Sequence, residues 1–260
     1  MRIRSLSSVA LAASIALAVA TGAHASTNLI TNGDFSSGPG VNTEFGAGFG
    51  GQTVTGWIGG DGEPAYDLQF YFVGGTQTTD SAINQFGASP GDPRAYFYPT
   101  FNTLSPNSGG NFVALDGDQG DPLHPGAQGA ISQTLENLIV GKTYTLTFDW
   151  AAAQLENRDG ATSEQLAVSF GGQTFNTEIL NVSSGGFSGW NTVTMFFTPT
   201  SATQTLTFLS IGTPEGEPPI AALDSVTLTV PEPASWAMML IGFGGIGAVV
   251  RRRRHALVAA

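Results

Sequence analysis

Lys142-Thr143-Tyr144-Thr145-Leu146-Thr147-Phe148-Asp149-Trp150 alternates large apolar and small polar side chains without a break. Tyr144, Leu146, Phe148 and Trp150 share one face of an extended chain, and Thr143, Thr145, Thr147 and Asp149 share the other. A period of two is the mark of a half-buried antiparallel strand. Towards the C-terminus, similar runs are Gln165–Phe170, Trp190–Thr198, Gln204–Ile211 and Ser225–Val230. Towards the N-terminus they are Val54–Ile58, Asp67–Val73, Ala95–Tyr98, Asn111–Asp116 and Ala130–Leu135. No long segment carries an apolar period of 3.6. Many short strands between Gly- and Asn-rich turns predict an all-β fold, an antiparallel β-sandwich of the jelly-roll type. Residues 38–110 are Gly-rich, aromatic and interrupted by Pro64, Pro90, Pro93, Pro99 and Pro106, and read as long loops at one face or edge.

The two ends fall outside that sandwich. Arg2 and Arg4 precede an apolar run, Val9–Ala20, and then Ala23-His24-Ala25. A charged start, a short apolar stretch and an A-x-A site predict a signal peptide over residues 1–25, removed by signal peptidase. At the other end Pro231-Glu232-Pro233 halts regular structure, and Ala234–Val250 is long enough for one transmembrane helix. Arg251, Arg252, Arg253 and Arg254 then hold their side of the membrane in the cytoplasm. The body is therefore residues 26–230, exported and tethered at its C-terminal end.

Charge and composition narrow what the body does. The whole chain has 20 acidic and 9 basic residues. Without Glu232, Arg2, Arg4 and Arg251–Arg254, the body keeps 19 acids against Arg94, Lys142 and Arg158, a net charge of −16. A phosphate backbone is repelled by such a surface, so nucleic acid is excluded as a partner. There is no cysteine, and the body's one histidine, His124, lies between prolines in Pro122-Leu123-His124-Pro125. Disulfides, thiol nucleophiles and histidine-based metal centres are absent.

The C-terminal thirty residues resemble the PEP-CTERM sorting signal. Pro231-Glu232-Pro233, the apolar Gly-containing stretch and the arginine cluster stand in its order and spacing. That resemblance implies an exosortase as partner, a membrane-embedded transpeptidase that cuts near Pro231–Pro233. It also implies a transient inner-membrane anchor, and a destination at the cell surface or extracellular matrix of a Gram-negative bacterium. The body resembles galactose-binding-like and carbohydrate-binding-module jelly rolls. The residues that carry this are Asn28-Leu29-Ile30-Thr31-Asn32-Gly33-Asp34-Phe35, Phe112–Asp116, Ile131–Leu135 with Gly141–Tyr144, and Ala222–Val226. After Asn-Gly-Asp-Phe these modules carry Glu, where this chain has Ser36.

Several residues stand out as site candidates. On an unbroken strand Asp224 shares its face with Val226, Leu228 and Val230, and a buried carboxylate needs a partner or a metal. In the resembling sandwiches the first and last strands are neighbours. A structural calcium ion held by Asn32, Asp34 and Asp224 is therefore expected, with a strand that starts after Asp224, or a bulge that turns it outward, as the alternative. Asp116-Gly117-Asp118-Gln119-Gly120-Asp121 departs from the EF-hand pattern and reads as a turn. Aromatic residues crowd the irregular region, and they read either as core or, for Trp57, Tyr71, Tyr96 and Tyr98, as a platform for stacking sugar rings. No spacing singles out a catalytic carboxylate pair. The expected function is a non-catalytic surface protein, processed by exosortase, that binds extracellular polysaccharide. A purely structural matrix component and a glycan hydrolase or lyase are the alternatives.

Overall fold

The computed structural model describes residues 27–40, 43–46, 52–60, 69–74, 110–118, 128–154, 159–217 and 219–230. Asn28–Pro231 forms one compact unit. Among the described residues there is no helix, and the strands are β1 Thr43–Glu44, β2 Ile58–Gly59, β3 Gln69–Phe72 and β4 Phe112–Asp116, followed by β5 Ala130–Leu135 and β6 Tyr144–Gln154. The later strands are β7 Thr162–Phe170, β8 Gln173–Asn176, β9 Leu180–Val182, β10 Asn191–Phe197, β11 Gln204–Thr213 and β12 Pro219–Thr229. One sheet runs β1-β3-β4-β12-β6-β10, and the other β2-β5-β11-β7-β8 with β9 also on β7. Every pairing is antiparallel. The expected sandwich is present. The irregular stretch 38–110 supplies β1, β2 and β3, while Ala95–Tyr98 lies outside the described residues.

The face assignment in β6 holds. Tyr144, Leu146, Phe148 and Trp150 are all within 1% of complete burial, and Thr145 and Thr147 are half-buried on the other side. The inner faces of β5, β7 and β11 supply Ile131, Leu166, Val168 and Phe208 to the same core, and Phe148 meets Phe208 edge-on at 5.1 Å between ring centroids. Gln133 is a buried polar residue in this layer, and it is fully used. Its Oε1 accepts from the N–H of Thr31, and its Nε2 donates to the carbonyls of Thr31 and Gly56. Those bonds fasten the N-terminal segment over β5 at no desolvation penalty.

The outer face of the first sheet is not uniformly solvated. Beyond Phe148 the alternation of β6 gives way to continuous burial through Gln154. Here Ala151, Ala153, Ile220 and Ala222 form a second apolar layer with Phe70, Phe72 and Phe112. Phe72 stacks on Phe112 at 5.0 Å, and Trp190 meets Phe112 edge-on at 5.7 Å. The alternating pattern therefore covers only one half of β6, because the other half is packed on both faces.

Candidate functional site

The last strand departs from its expected geometry at Ser225. Its φ is 56°, rare for a non-glycine residue, and the register of β12 against β6 shifts between Asp224 and Thr227. This β-bulge inserts one residue and reverses the facing of everything before it. Val226 and Leu228 point into the main core, whereas Asp224 follows Ile220 and Ala222 onto the opposite face. Asp224 there stands across from Asp149 of β6. The expectation that Asp224 shares a face with Val226 and Leu228 is corrected by that one extra residue.

The first turn does lie against the last strand, as expected: Val226 N–H donates to the carbonyl of Gly33 at 2.8 Å. Each of the three proposed calcium ligands has hydrogen-bond partners within the protein. Asn32 sits in the left-handed region with φ 55°; its Oδ1 accepts from Ser37 N–H, and its Nδ2 donates to the carbonyls of Ser37 and Thr55. Asp34 is exposed and accepts from the N–H and hydroxyl of Ser36, an Asx-type turn. Asp224 is fully buried and accepts from the Ser225 hydroxyl. Among the described residues no group of three acidic or histidine side chains converges as a metal site.

Two members of the expected aromatic platform are core residues. Trp57 is 5% exposed, packs against Phe35 and Phe208, and donates its indole N–H to the carbonyl of Asn32. Tyr71 is 1% exposed; its hydroxyl donates to the carbonyl of Phe35 and accepts from Asn111 Nδ2. Burial raises the Tyr71 phenol above its ordinary range; the Asn111 bond opposes that shift and the charge of Asp34 adds to it. Neither ring presents a face to a ligand. Tyr96 and Tyr98 lie outside the described residues, as do Pro231–Pro233 and Arg251–Arg254.

A cleft lies elsewhere. It opens between β10, the edge of one sheet, and the β8–β9 segment at the edge of the other, with a volume of about 700 Å³. Trp150, Leu180, Val193 and Met195 give it an apolar floor. Phe175 also lines it, 44% exposed, with its ring held edge-on to buried Phe197 at 5.2 Å. The lining also includes Asn176, Glu178, Asn191, whose Nδ2 donates to the carbonyl of Gly189, and Thr194, whose hydroxyl lies 3.5 Å from that of Thr147. Thr192 is already engaged, donating to Asp149 Oδ1 at 2.5 Å. Apolar floor, one exposed aromatic and a few convergent polar groups are what a small-ligand site requires. Sequence reasoning missed it: Phe175 lies in Gln173-Thr174-Phe175-Asn176, a short strand after Gly171-Gly172 with no alternating pattern. An isolated aromatic in such a hairpin is the only local signal.

Residues 104–229 match a family described as "Protein of unknown function (DUF642)", and residues 229–254 match the PEP-CTERM protein-sorting motif. No curated protein sequence matches the chain. Among solved structures, the chain is similar to the sugar-binding C-terminal domain of EclA at 17% identity, covering 38% of this chain and 64% of that one with a TM-score of 0.29. It thus spans less than two thirds of that relative's length. A CBM4 structure matches at 18% identity over 78% of this chain and 99% of that one, with a TM-score of 0.34. A putative sugar-binding protein from Bacteroides thetaiotaomicron matches at 11% identity over 79% and 100%, with a TM-score of 0.40. Residues 104–229 are thus similar to the DUF642 family, and the PEP-CTERM protein-sorting motif that follows them marks an exported protein that is membrane-anchored before processing.

Proposed function

We propose that this is a non-catalytic surface or matrix protein, processed by exosortase, whose β8–β10 cleft binds an extracellular polysaccharide. The observation that carries the reading is the cleft itself. The exposed face of Phe175 offers a stacking surface for the C–H face of a sugar ring. Asn176 offers a donor and an acceptor to hydroxyls, and Asn191 Oδ1 and Glu178 offer acceptors. The body's charge of −16 favours a neutral glycan over an anionic one. Glycosidic hydrolysis ordinarily needs a pair of carboxyl groups across the scissile bond. Among the described lining residues Glu178 is the one carboxylate, which supports binding over hydrolysis.

The test is a glycan array and a polysaccharide pull-down with the purified protein and its Phe175→Ala variant. Phe175 is partly exposed, so the variant is expected to fold and to lose about tenfold in affinity, the equivalent of ~1.4 kcal/mol. Binding unchanged in the variant refutes the cleft. No glycan binding at all favours a structural matrix component. Polysaccharide turnover abolished by Glu178→Gln favours a hydrolase or lyase. Exosortase processing is checked separately by intact mass: surface material is expected to lack Arg251–Arg254, and a mature species still ending at Ala260 refutes it.

A further inference from the structure

Ile139 and Val140 are adjacent, 53% and 57% exposed, at the tip of the loop joining β5 to β6. Turn tips are normally Gly, Asn, Asp or Ser, so two neighbouring aliphatics there are out of place for water. The loop is built to present them. Asn137 and Gly141 adopt left-handed backbone, with φ of 59° and 77°. The N–H of Ile139 donates to the hydroxyl of buried Tyr144 at 2.8 Å, and the N–H of Lys142 donates back to the Ile139 carbonyl. Leu138 N–H and Gly141 N–H donate to Ala202 and Pro199 of the neighbouring β10–β11 loop. Leu138 goes into the core at 4% exposure while the next two residues point out.

The position of this loop decides what it meets. β6 starts at Tyr144, and Thr145 pairs with Thr229, the last residue of β12. The β5–β6 loop and the point at which the chain leaves the body are therefore at the same end of the sheet. The sorting motif over residues 229–254 implies a membrane anchor, and its apolar stretch begins at Ala234. From Thr229 to Ala234 the chain has five residue steps, which span at most about 17 Å when fully extended. So short a connection keeps the end of β12 within that distance of the point where an anchor would enter the bilayer. Lys142, one of the three basic residues of a strongly acidic body, follows the apolar tip in the same loop, with Glu136 at the loop's start.

We propose that the Ile139–Val140 tip inserts into the lipid interface around the C-terminal anchor, so that the precursor stands on the membrane on its β5–β6 loop. Two aliphatic side chains beside a long basic one suit that boundary, where the apolar part sinks below the headgroups and the ammonium stays among them. The docking fixes which end of the sandwich faces the membrane while the tail is intact. It adds too little apolar surface to hold the body once the tail is cut.

The chain contains no cysteine, so single reporters can be placed cleanly. The full-length precursor is reconstituted in vesicles of phosphatidylethanolamine and phosphatidylglycerol with an environment-sensitive dye at Val140→Cys, or at Ile179→Cys on the exposed β8–β9 connection. The Val140 dye is expected to shift to the blue and to be quenched by nitroxide-labelled lipid, and the Ile179 dye to do neither. A dye at Ser201→Cys in the adjacent loop separates docking from mere tethering. Its quenching is expected to be lost in Ile139→Ser/Val140→Ser, a pair of surface changes that should leave the melting temperature in place. A Val140 dye as solvated as the Ile179 dye overturns the proposal. So does Ser201 quenching unaffected by the double change, or a Val140 shift that requires added membrane proteins.

Discussion

The hydroxyl of Ser210 on β11 lies 2.9 Å from Oε1 of Glu164 on β7 and 3.1 Å from the carbonyl oxygen of Leu115. Both residues are completely buried. Glu164 lies against Gly117 and Gly212, where an added Cβ would come within 2.5 Å of its Oε2. Ser210 has one proton and two acceptors if Glu164 is ionised. A protonated Glu164 donates to Ser210 and leaves Ser210 free to donate to Leu115.

Burial pushes the Glu164 carboxyl well above the ordinary range, and the charge of Asp116 pushes the same way. The Ser210 bond and the N–H groups of Gln165 and Ile211 oppose the shift. A raised folded-state pKa means that the native protein keeps a proton the unfolded chain releases near ~4.3. That contribution is complete below the unfolded pKa and is lost as pH rises through the folded one. Glu164→Gln is neutral at every pH, so its melting temperature relative to wild type is expected to improve steadily as pH rises. A difference that stays constant across pH would mean an ionised Glu164 in the native state.

A Cβ on Gly33 would lie 1.9 Å from the carbonyl oxygen of Val226. The obstacle is backbone on both sides, so no rotamer relieves it, and the Val226 N–H to Gly33 bond must stretch. Gly33→Ala is expected to destabilise by about 1–3 kcal/mol, near the upper end of overpacking costs, as read by chemical denaturation. Wild-type stability in this variant would show that the first turn is not held on β12.

Leu146 and Thr145 test the facing of β6. Leu146 is fully buried in the main core and Thr145 is half-buried on the outer face. Leu146→Ala is expected to cost about 2–5 kcal/mol, and Thr145→Ala within ~0.5 kcal/mol of zero. Equal losses at the two positions would refute the assignment.

Calcium is expected to leave thermal unfolding unchanged relative to chelator. The carbonyl oxygen of the Asn32 side chain is engaged by Ser37, and Asp224 faces Asp149 on the far side of the Ser225 bulge. A rise in melting temperature with calcium that Asp224→Ala abolishes would instead show that these side chains rearrange around the ion.

The strands with strict alternation were legible from the sequence: Ala130–Leu135 was marked in full, and Trp190–Thr198 and Gln204–Ile211 to within two residues at each end. The motifs at the C-terminal end were legible for the same reason, since an anchor is a linear arrangement of proline, apolar stretch and charge. The lone Phe of β8 was not, and the bulge near Asp224 and the burial of Trp57 and Tyr71 stood only as alternatives that the sequence could not decide. Periodicity is a local property of an extended backbone, so the residues of one strand suffice to reveal it. Which face an aromatic shows to water, and whether a strand accepts one extra residue, is decided by segments far away in the chain. Asp224 parted from Val226 because Ser225 bulges between β12 and β6. The cleft exists because β8 and β10, edges of different sheets, end side by side. Only tertiary structure, which packs two sheets and leaves their edges open, could bring Phe175 and Trp150 to one cleft.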